Sequence, residues 1–186
     1  MSFRTYLSGK MSNRLVDDVV AERKRATNAL ARYGIRAVDP ASSESRLWES
    51  GRKARIGAKF SYKVMQAMRD HDLFLIRRSD VLVFLTADIA SEGSILEMSY
   101  AQKIGIPVVL VAPERVKGNF MGWINVSVLP DHIFSTIEEA AKFINRRYKK
   151  VYEKHHEYYE AAIKNATKAV NKSIKRNKKS KKRLGK

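Results

Sequence analysis

Two short, uninterrupted apolar runs constrain this chain more than any other feature. Val81-Leu82-Val83-Phe84-Leu85 and Ile106 to Val111 contain no side chain that carries a charge or a hydrogen-bonding group. Runs of this kind suit strands covered on both faces, which is how strands sit in parallel sheets. A parallel pair needs a crossover connection, usually a helix. The intervening segment supplies one. Gly93 to Ile104 carries Ile95, Leu96, Met98 and Ala101 and is stopped by Gly105.

The same alternation extends in both directions. Phe3 to Ser8 reads as a strand ending at Gly9. Asn13 is the expected N-cap of a helix to about Tyr33, with Leu15, Val19, Ala26 and Leu30 at helical spacing and Gly34 at C′. Ile35 to Val38 is a second strand, closed by Asp39-Pro40. Residues 41–58, with Trp48, read as a long loop holding at most a helical turn. Phe60 to about Ile76 is a helix with Val64, Met68, Asp72 and Ile76 in one i, i+4 row, and Ile124 to Leu129 is the expected fifth strand. The expected fold is therefore α/β, with a parallel sheet and right-handed crossovers. Ligands of such sheets bind beyond the C-terminal strand ends, near a switch in strand order. Three loops should converge there: Ser8–Asn13, Thr86–Gly93 and Ala112–Trp123.

Charge divides the chain. The net charge is +18, from 37 Lys and Arg against 19 Asp and Glu. Residues 146–186 hold 16 of the cations and three Glu, or +13, which leaves +5 for residues 1–145. Residues 1–145 thus read as an ordinary domain and 146–186 as a basic appendage. Ser135 and Glu138 form a capping-box pattern, and neither Pro nor Gly follows until Gly185. Apolar residues recur at 3–4 spacing from Ile137 through Ile144 and Val151, then weaken to alanines after Tyr159. The segment reads as a long C-terminal helix whose first turns pack on the domain and whose remainder projects or pairs with another chain. Past Ile174 the like-charge run reads as disordered. Eleven Lys and Arg lie between Lys164 and Lys186, suiting either attraction to nucleic-acid phosphates or a solubilising tail. No aromatic residue follows Tyr159, so base stacking is not expected.

Composition removes other classes. With no cysteine there is no disulfide scaffold, thiolate zinc site or thiol nucleophile, which fits a reducing, cytoplasmic setting. No stretch approaches the roughly 18 apolar residues of a membrane span. The opening MSFRTYLSGK lacks the apolar core of a signal peptide. The four histidines have no metal-ligand spacing, and neither a metal nor a cofactor is expected.

Three side chains are candidates for chemistry. Glu97 follows a buried strand and lies about one turn into a helix, within Ser91-Glu92-Gly93-Ser94-Ile95-Leu96-Glu97. A carboxylate there suits a nucleophile in a partly dry pocket; a surface Glu stabilised by the helix dipole explains the same position. Asp72 shares a helical row with apolar residues, so it should be paired or functional. Tyr6 stands near the end of the first strand, beside the expected crevice, where a half-buried packing residue is equally natural. Gly9-Lys10-Met11-Ser12 lacks the frame of a phosphate loop.

The order Tyr6-Leu7-Ser8-Gly9, Asp72-Leu73, Ser79-Asp80 before an apolar strand, and Gly93-x-x-x-Glu97-x-x-Tyr100-Ala101 resembles the nucleoside 2-deoxyribosyltransferase superfamily. Asn119-Phe120-Met121-Gly122-Trp123 resembles that family's Asn-Leu-Met-Ser-Trp segment. The N-terminal half also resembles a related, uncharacterised family that begins Tyr-Ile-Ser-Gly-Pro-Met. The resemblance covers about residues 3–130. It implies a flavodoxin-like, Rossmann-like parallel five-stranded sheet and a retaining transfer of deoxyribose from one base to another. On this likeness Glu97 is the nucleophile, Asp72 the acid that serves the departing base, and Tyr6 the group that orients the carboxylate. Gly9, Ser91, Gly93, Asn119 and Met121 bind substrate, and Asn119 completes a neighbouring subunit's site, which implies a homo-oligomer. One departure stands out. Ser91 replaces the Asp that grips the sugar 5′-hydroxyl, as in the related deoxynucleoside 5′-monophosphate N-glycosidases, where Ser helps bind phosphate. Hydrolysis of a deoxynucleotide is therefore the alternative enzymatic expectation. A non-catalytic nucleotide sensor, or a nucleic-acid-associated protein led by its tail, is the alternative outside enzymes.

Overall fold

The computed structural model describes residues 2–11, 14–44, 61–86, 92–112 and 128–184. It divides into two compact units, residues 1–145 and 146–186. The first is an α/β sheet domain. Its strands are β1 (Arg4–Gly9), β2 (Arg36–Val38), β3 (Val81–Leu85), β4 (Val108–Val111) and β5 (Ile133–Phe134). All pair in parallel, in the order β2-β1-β3-β4-β5. This is the flavodoxin-like order, with its switch point between β1 and β3.

The apolar runs became strands because both faces of the sheet are covered. Helix α1 (Val16–Ala31) packs with α5 (Ile137–Ile144), and α3 (Tyr62–Arg77) packs with α4 (Glu92–Lys103). Side chains alternate along a strand. Tyr6, Leu82, Phe84, Val108 and Leu110 accordingly join Ile76 of α3 and Met98 and Ala101 of α4 in one core. The remaining strand residues, such as Leu7, Val83 and Val109, are fully buried on the opposite side with Val19, Leu30, Ala140 and Ile144. A short helix α2 (Pro40–Glu44) follows β2, with Pro40 at its first position, where a missing N–H costs nothing. The Asp39 carboxylate accepts from Ala41 N at 3.0 Å.

Several expectations change. The fifth strand is Ile133–Phe134, after a 3₁₀ turn at Pro130–His132, and not Ile124 to Leu129. Of that expected segment, residues 124–127 lie outside the described residues, and Val128 is buried in the core without joining the sheet. A β-branched alternation marks a chain that packs on apolar surface; it does not guarantee a neighbouring strand. The capping box belongs to Thr136 and Glu139, one residue later than Ser135 and Glu138. Glu139 N donates to the Thr136 hydroxyl at 3.3 Å, and Thr136 N to the Glu139 carboxylate at 3.1 Å. Both frames satisfy the pattern, and Thr136 is the residue with extended, non-helical backbone. Helix α1 starts later than expected: its N-cap is Leu15, whose extended backbone precedes Val16, and not Asn13, which with Trp48 lies outside the described residues.

A π-helical turn, Asn145–Lys149, follows α5, and the second unit consists chiefly of α6 (Lys150–Leu184). The helix thus continues through the run past Ile174 that composition assigns to disorder. No Gly or Pro interrupts it before Gly185, and Lys and Arg are good helix formers. Its Glu residues lie early and its cations late, matching the helix dipole. Among the described residues no helix is long and apolar enough to cross a membrane.

Candidate active site

All five strands run in parallel, so the ends of β1, β3 and β4 share one edge of the sheet. On β1, Tyr6 and Ser8 are two residues apart and therefore face the same side, toward α3 and α4. From α4, one turn and a half above its start, Glu97 comes down between them. The Tyr6 hydroxyl donates to Glu97 Oε1 at 3.0 Å, and the Ser8 hydroxyl donates to Oε2 at 2.5 Å. Each carboxylate oxygen thus has its own neutral donor. Tyr6 is fully buried and Ser8 nearly so, which fixes both donors. Glu97 as a whole residue is partly buried.

Electrostatics distinguishes Glu97 from a surface residue of a first helical turn. Burial raises its pKa above the ordinary carboxylate value; the Ser8 and Tyr6 hydrogen bonds and the positive charge of Arg23 oppose that rise. Burial also pushes the Tyr6 phenol up, and the negative charges of Glu97 and Asp72 push it further. Tyr6 therefore stays a protonated donor. Its electrostatic coupling to both acids gathers Tyr6, Glu97 and Asp72 into one cluster, with Asp72 contributed by α3.

Arg23 is the residue that the sequence reading omitted. It is 3% exposed, on the buried row of α1 between Val19 and Ala26. Its guanidinium donates to the Leu7 carbonyl and, at 3.0 Å, to the Gly9 carbonyl. The register explains the need. Arg36 N donates to Phe3 O, so Phe3, Leu7 and Gly9 turn their carbonyls toward the β2 side of β1. Strand β2 stops at Val38, opposite Tyr6, while β1 continues to Gly9. Beyond that point the carbonyls have no strand to accept from, and Arg23 takes its place. Asp39, just after β2, lies 3.9 Å from the same guanidinium. Burial raises the Asp39 pKa, against the pull of Arg23. The i+4 spacing from Val19 was the available signal for Arg23, and the i+2 spacing from Tyr6 was the signal for Ser8.

The expected glycines have different explanations. Gly9 has φ +151°, and a Cβ there would stand 2.5 Å from the Leu85 carbonyl oxygen. Only glycine lets β1 pair so closely with β3 at the switch point. Gly93 is exposed on α4, and a Cβ there would meet nothing within 4 Å. No steric reason for glycine exists at that position among the described residues. Ser91, Asn119 and Met121 lie outside the described residues, as does most of each expected loop. Tyr100, in the same sequence pattern as Glu97, instead accepts a hydrogen bond from Arg77.

A separate cleft of about 240 Å³ opens on the α1 and α5 side, lined by Glu22, Arg25, Thr86, Val111 and the start of α5. Its polar groups are largely used: Glu22 pairs with Arg14 at 2.7 Å, and the Thr86 hydroxyl donates to Val111 O at 2.9 Å. The Glu97 cluster lies on the other face of the sheet.

Residues 3–110 match the family described as Domain of unknown function (DUF4406). The chain belongs to this family. The matched DUF4406 region contains β1 through most of β4, and with them Tyr6, Ser8, Arg23, Asp72 and Glu97. No curated protein matches the chain.

Proposed function

We propose that this DUF4406 protein is a nucleoside 2-deoxyribosyltransferase, with Glu97 as its nucleophile. The observation that carries the reading is the Glu97 carboxylate held by one hydroxyl on each oxygen, Tyr6 and Ser8, at the switch point of the sheet. Two neutral donors orient a carboxylate without neutralising it, which suits attack on an electrophilic carbon. In the proposed reaction a Glu97 oxygen forms a bond to C1′ of a 2′-deoxynucleoside. The C1′–N bond breaks, its electron pair goes to the base, and Asp72 acts as the general acid that delivers the proton. A nitrogen of an acceptor base then attacks C1′, releases Glu97 and returns a proton to Asp72. Retention follows from the two displacements. The sequence resemblance assigns Asn119 to a neighbouring copy's site, so the proposed enzyme is a homo-oligomer; a monomer in sedimentation at micromolar concentration contradicts that part.

One residue favours a second reading. Ser91 stands where the transferases carry Asp, and a Ser ahead of a helix N-terminus suits a 5′-phosphate better than a carboxylate would. Under that reading water resolves the intermediate, and the substrate is a deoxynucleoside 5′-monophosphate. A product assay separates the two. The protein is incubated with each deoxynucleoside and deoxynucleotide, with and without a free base, and products are resolved by chromatography. New nucleoside supports transfer. Free base with sugar phosphate supports the hydrolase. No product from any substrate contradicts both.

A further inference from the structure

Helix α6 places nearly all of the basic positions after Glu160 on one face. After Glu160 the chain has no acidic residue, and ten Lys or Arg positions lie between Lys164 and Arg183. The backbone is helical across all of them. At about 100° per residue, every one of these positions except Lys181 falls within an arc of about 160° centred near Lys168. The opposite face holds Ile163, Ala166, Val170, Ser173 and Asn177. A disordered tail would distribute the same charges in all directions; a helix makes them a stripe, about 30 Å long at ~1.5 Å per residue.

We propose that this stripe binds the phosphate backbone of duplex nucleic acid. The partner follows from charge complementarity. A duplex presents about one negative charge per 1.7 Å of axis, dense enough for a straight row of cations to meet several phosphates at once. A second copy of the helix is a poor occupant, because the stripe would meet like charge. The far face offers Ile163 and Val170, each 57% exposed, among small and polar positions. An anionic membrane is a poor occupant as well. A membrane-surface helix needs a broad apolar face, with large aromatic or aliphatic anchors opposite its cations. Here no aromatic residue follows Tyr159, and Ala, Ser and Asn interrupt the far face. The contacts are to phosphates, so binding is independent of base sequence. The proposal stands apart from the catalytic reading and survives its failure.

The test is fluorescence anisotropy of a short labelled DNA duplex with the full chain, over a range of salt. A stripe variant carries Lys164→Gln, Lys168→Gln, Lys172→Gln, Lys175→Gln and Lys179→Gln. A control of equal net charge, confined to the first unit, carries Lys24→Gln, Arg32→Gln, Lys63→Gln, Lys103→Gln and Lys142→Gln. Gln retains helix propensity, and circular dichroism confirms equal helicity. The stripe variant should lose at least about tenfold in affinity, with a salt slope shallower by about 0.9 for each phosphate contact removed. The control should stay within about twofold of the parent chain. Equal losses in the two variants would show that total charge, not the stripe, attracts the duplex, and would overturn the proposal. So would salt-independent binding, no binding, or tighter stripe-dependent binding to phosphatidylserine vesicles than to the duplex.

Discussion

Glu97 shows how much a single side chain gains from its supports. A Glu at the start of a helix is ordinary; one that receives a hydroxyl on each oxygen from the same strand is not. Its raised pKa gives a signed prediction. The folded protein holds the Glu97 proton to higher pH than the unfolded chain does. Stability from this group is therefore greatest below the ordinary value of 4.5 and declines as pH rises through the folded value. Glu97→Gln should remove that decline and, under the proposed function, abolish turnover. In urea denaturation, the variant's stability relative to the parent should grow from acid to neutral pH; a constant difference refutes the shift. Arg23 gives a second prediction at this scale. Arg23→Met leaves the Leu7 and Gly9 carbonyls buried without their donor and should cost about 2–4 kcal/mol. A loss under about 0.5 kcal/mol would mean that water or backbone movement replaces the guanidinium. Arg23 was legible as the i+4 neighbour of Val19, yet its purpose depends on β2 being three residues shorter than β1 at the C-terminal end. No local pattern carries that information.

The elements divide by how strongly burial marks them. Strands β3 and β4 were evident because both of their faces are covered, so every residue is apolar. Strand β5 was misplaced because it is a two-residue edge strand whose only mark is its pairing with Leu110 and Val111. Helices α3 and α4 were placed within two residues of their limits, but the side of α3 that meets the site was legible only in part. Val64 and Met65 on it are exposed, whereas Ile76 is fully buried. Only the last turns of that helix lie under the domain, and Asp72 falls there. The start of α5 allows a direct test, since two overlapping frames fit the same capping pattern. Thr136→Ala should cost about 1 kcal/mol and Ser135→Ala less, both read from thermal or urea unfolding. The reverse order would restore the earlier frame.

At the scale of the whole molecule, the charge boundary in the sequence and the structural boundary agree at residue 145. The first unit carries its own two-faced core and should fold alone. A chain ending at Asn145 should unfold cooperatively, with a midpoint within about 4 °C of the full chain, the shift that about 1 kcal/mol produces in a domain of this size. Loss of cooperativity would make α6 part of the folding unit. The long C-terminal helix was legible to Ile174, but composition misread the end of α6 beyond it, because like charge argues for disorder while the same residues have high helix propensity and a favourable order along the dipole. The site is the reverse case. Tyr6, Asp72 and Glu97 were named from their order in the chain and Ser8 was not, and their assembly required the sheet: β1 supplies Tyr6 and Ser8, α4 supplies Glu97, and α3 supplies Asp72. The central claim is that Glu97 forms a covalent bond to the sugar. Peptide mass spectrometry after acid quench of the protein with a 2′-deoxynucleoside or its monophosphate tests it most directly. The account predicts one deoxyribosyl or deoxyribosyl-phosphate adduct on the peptide that holds Glu97, absent in Glu97→Gln. Turnover without any adduct, or an adduct that persists in Glu97→Gln, would contradict it.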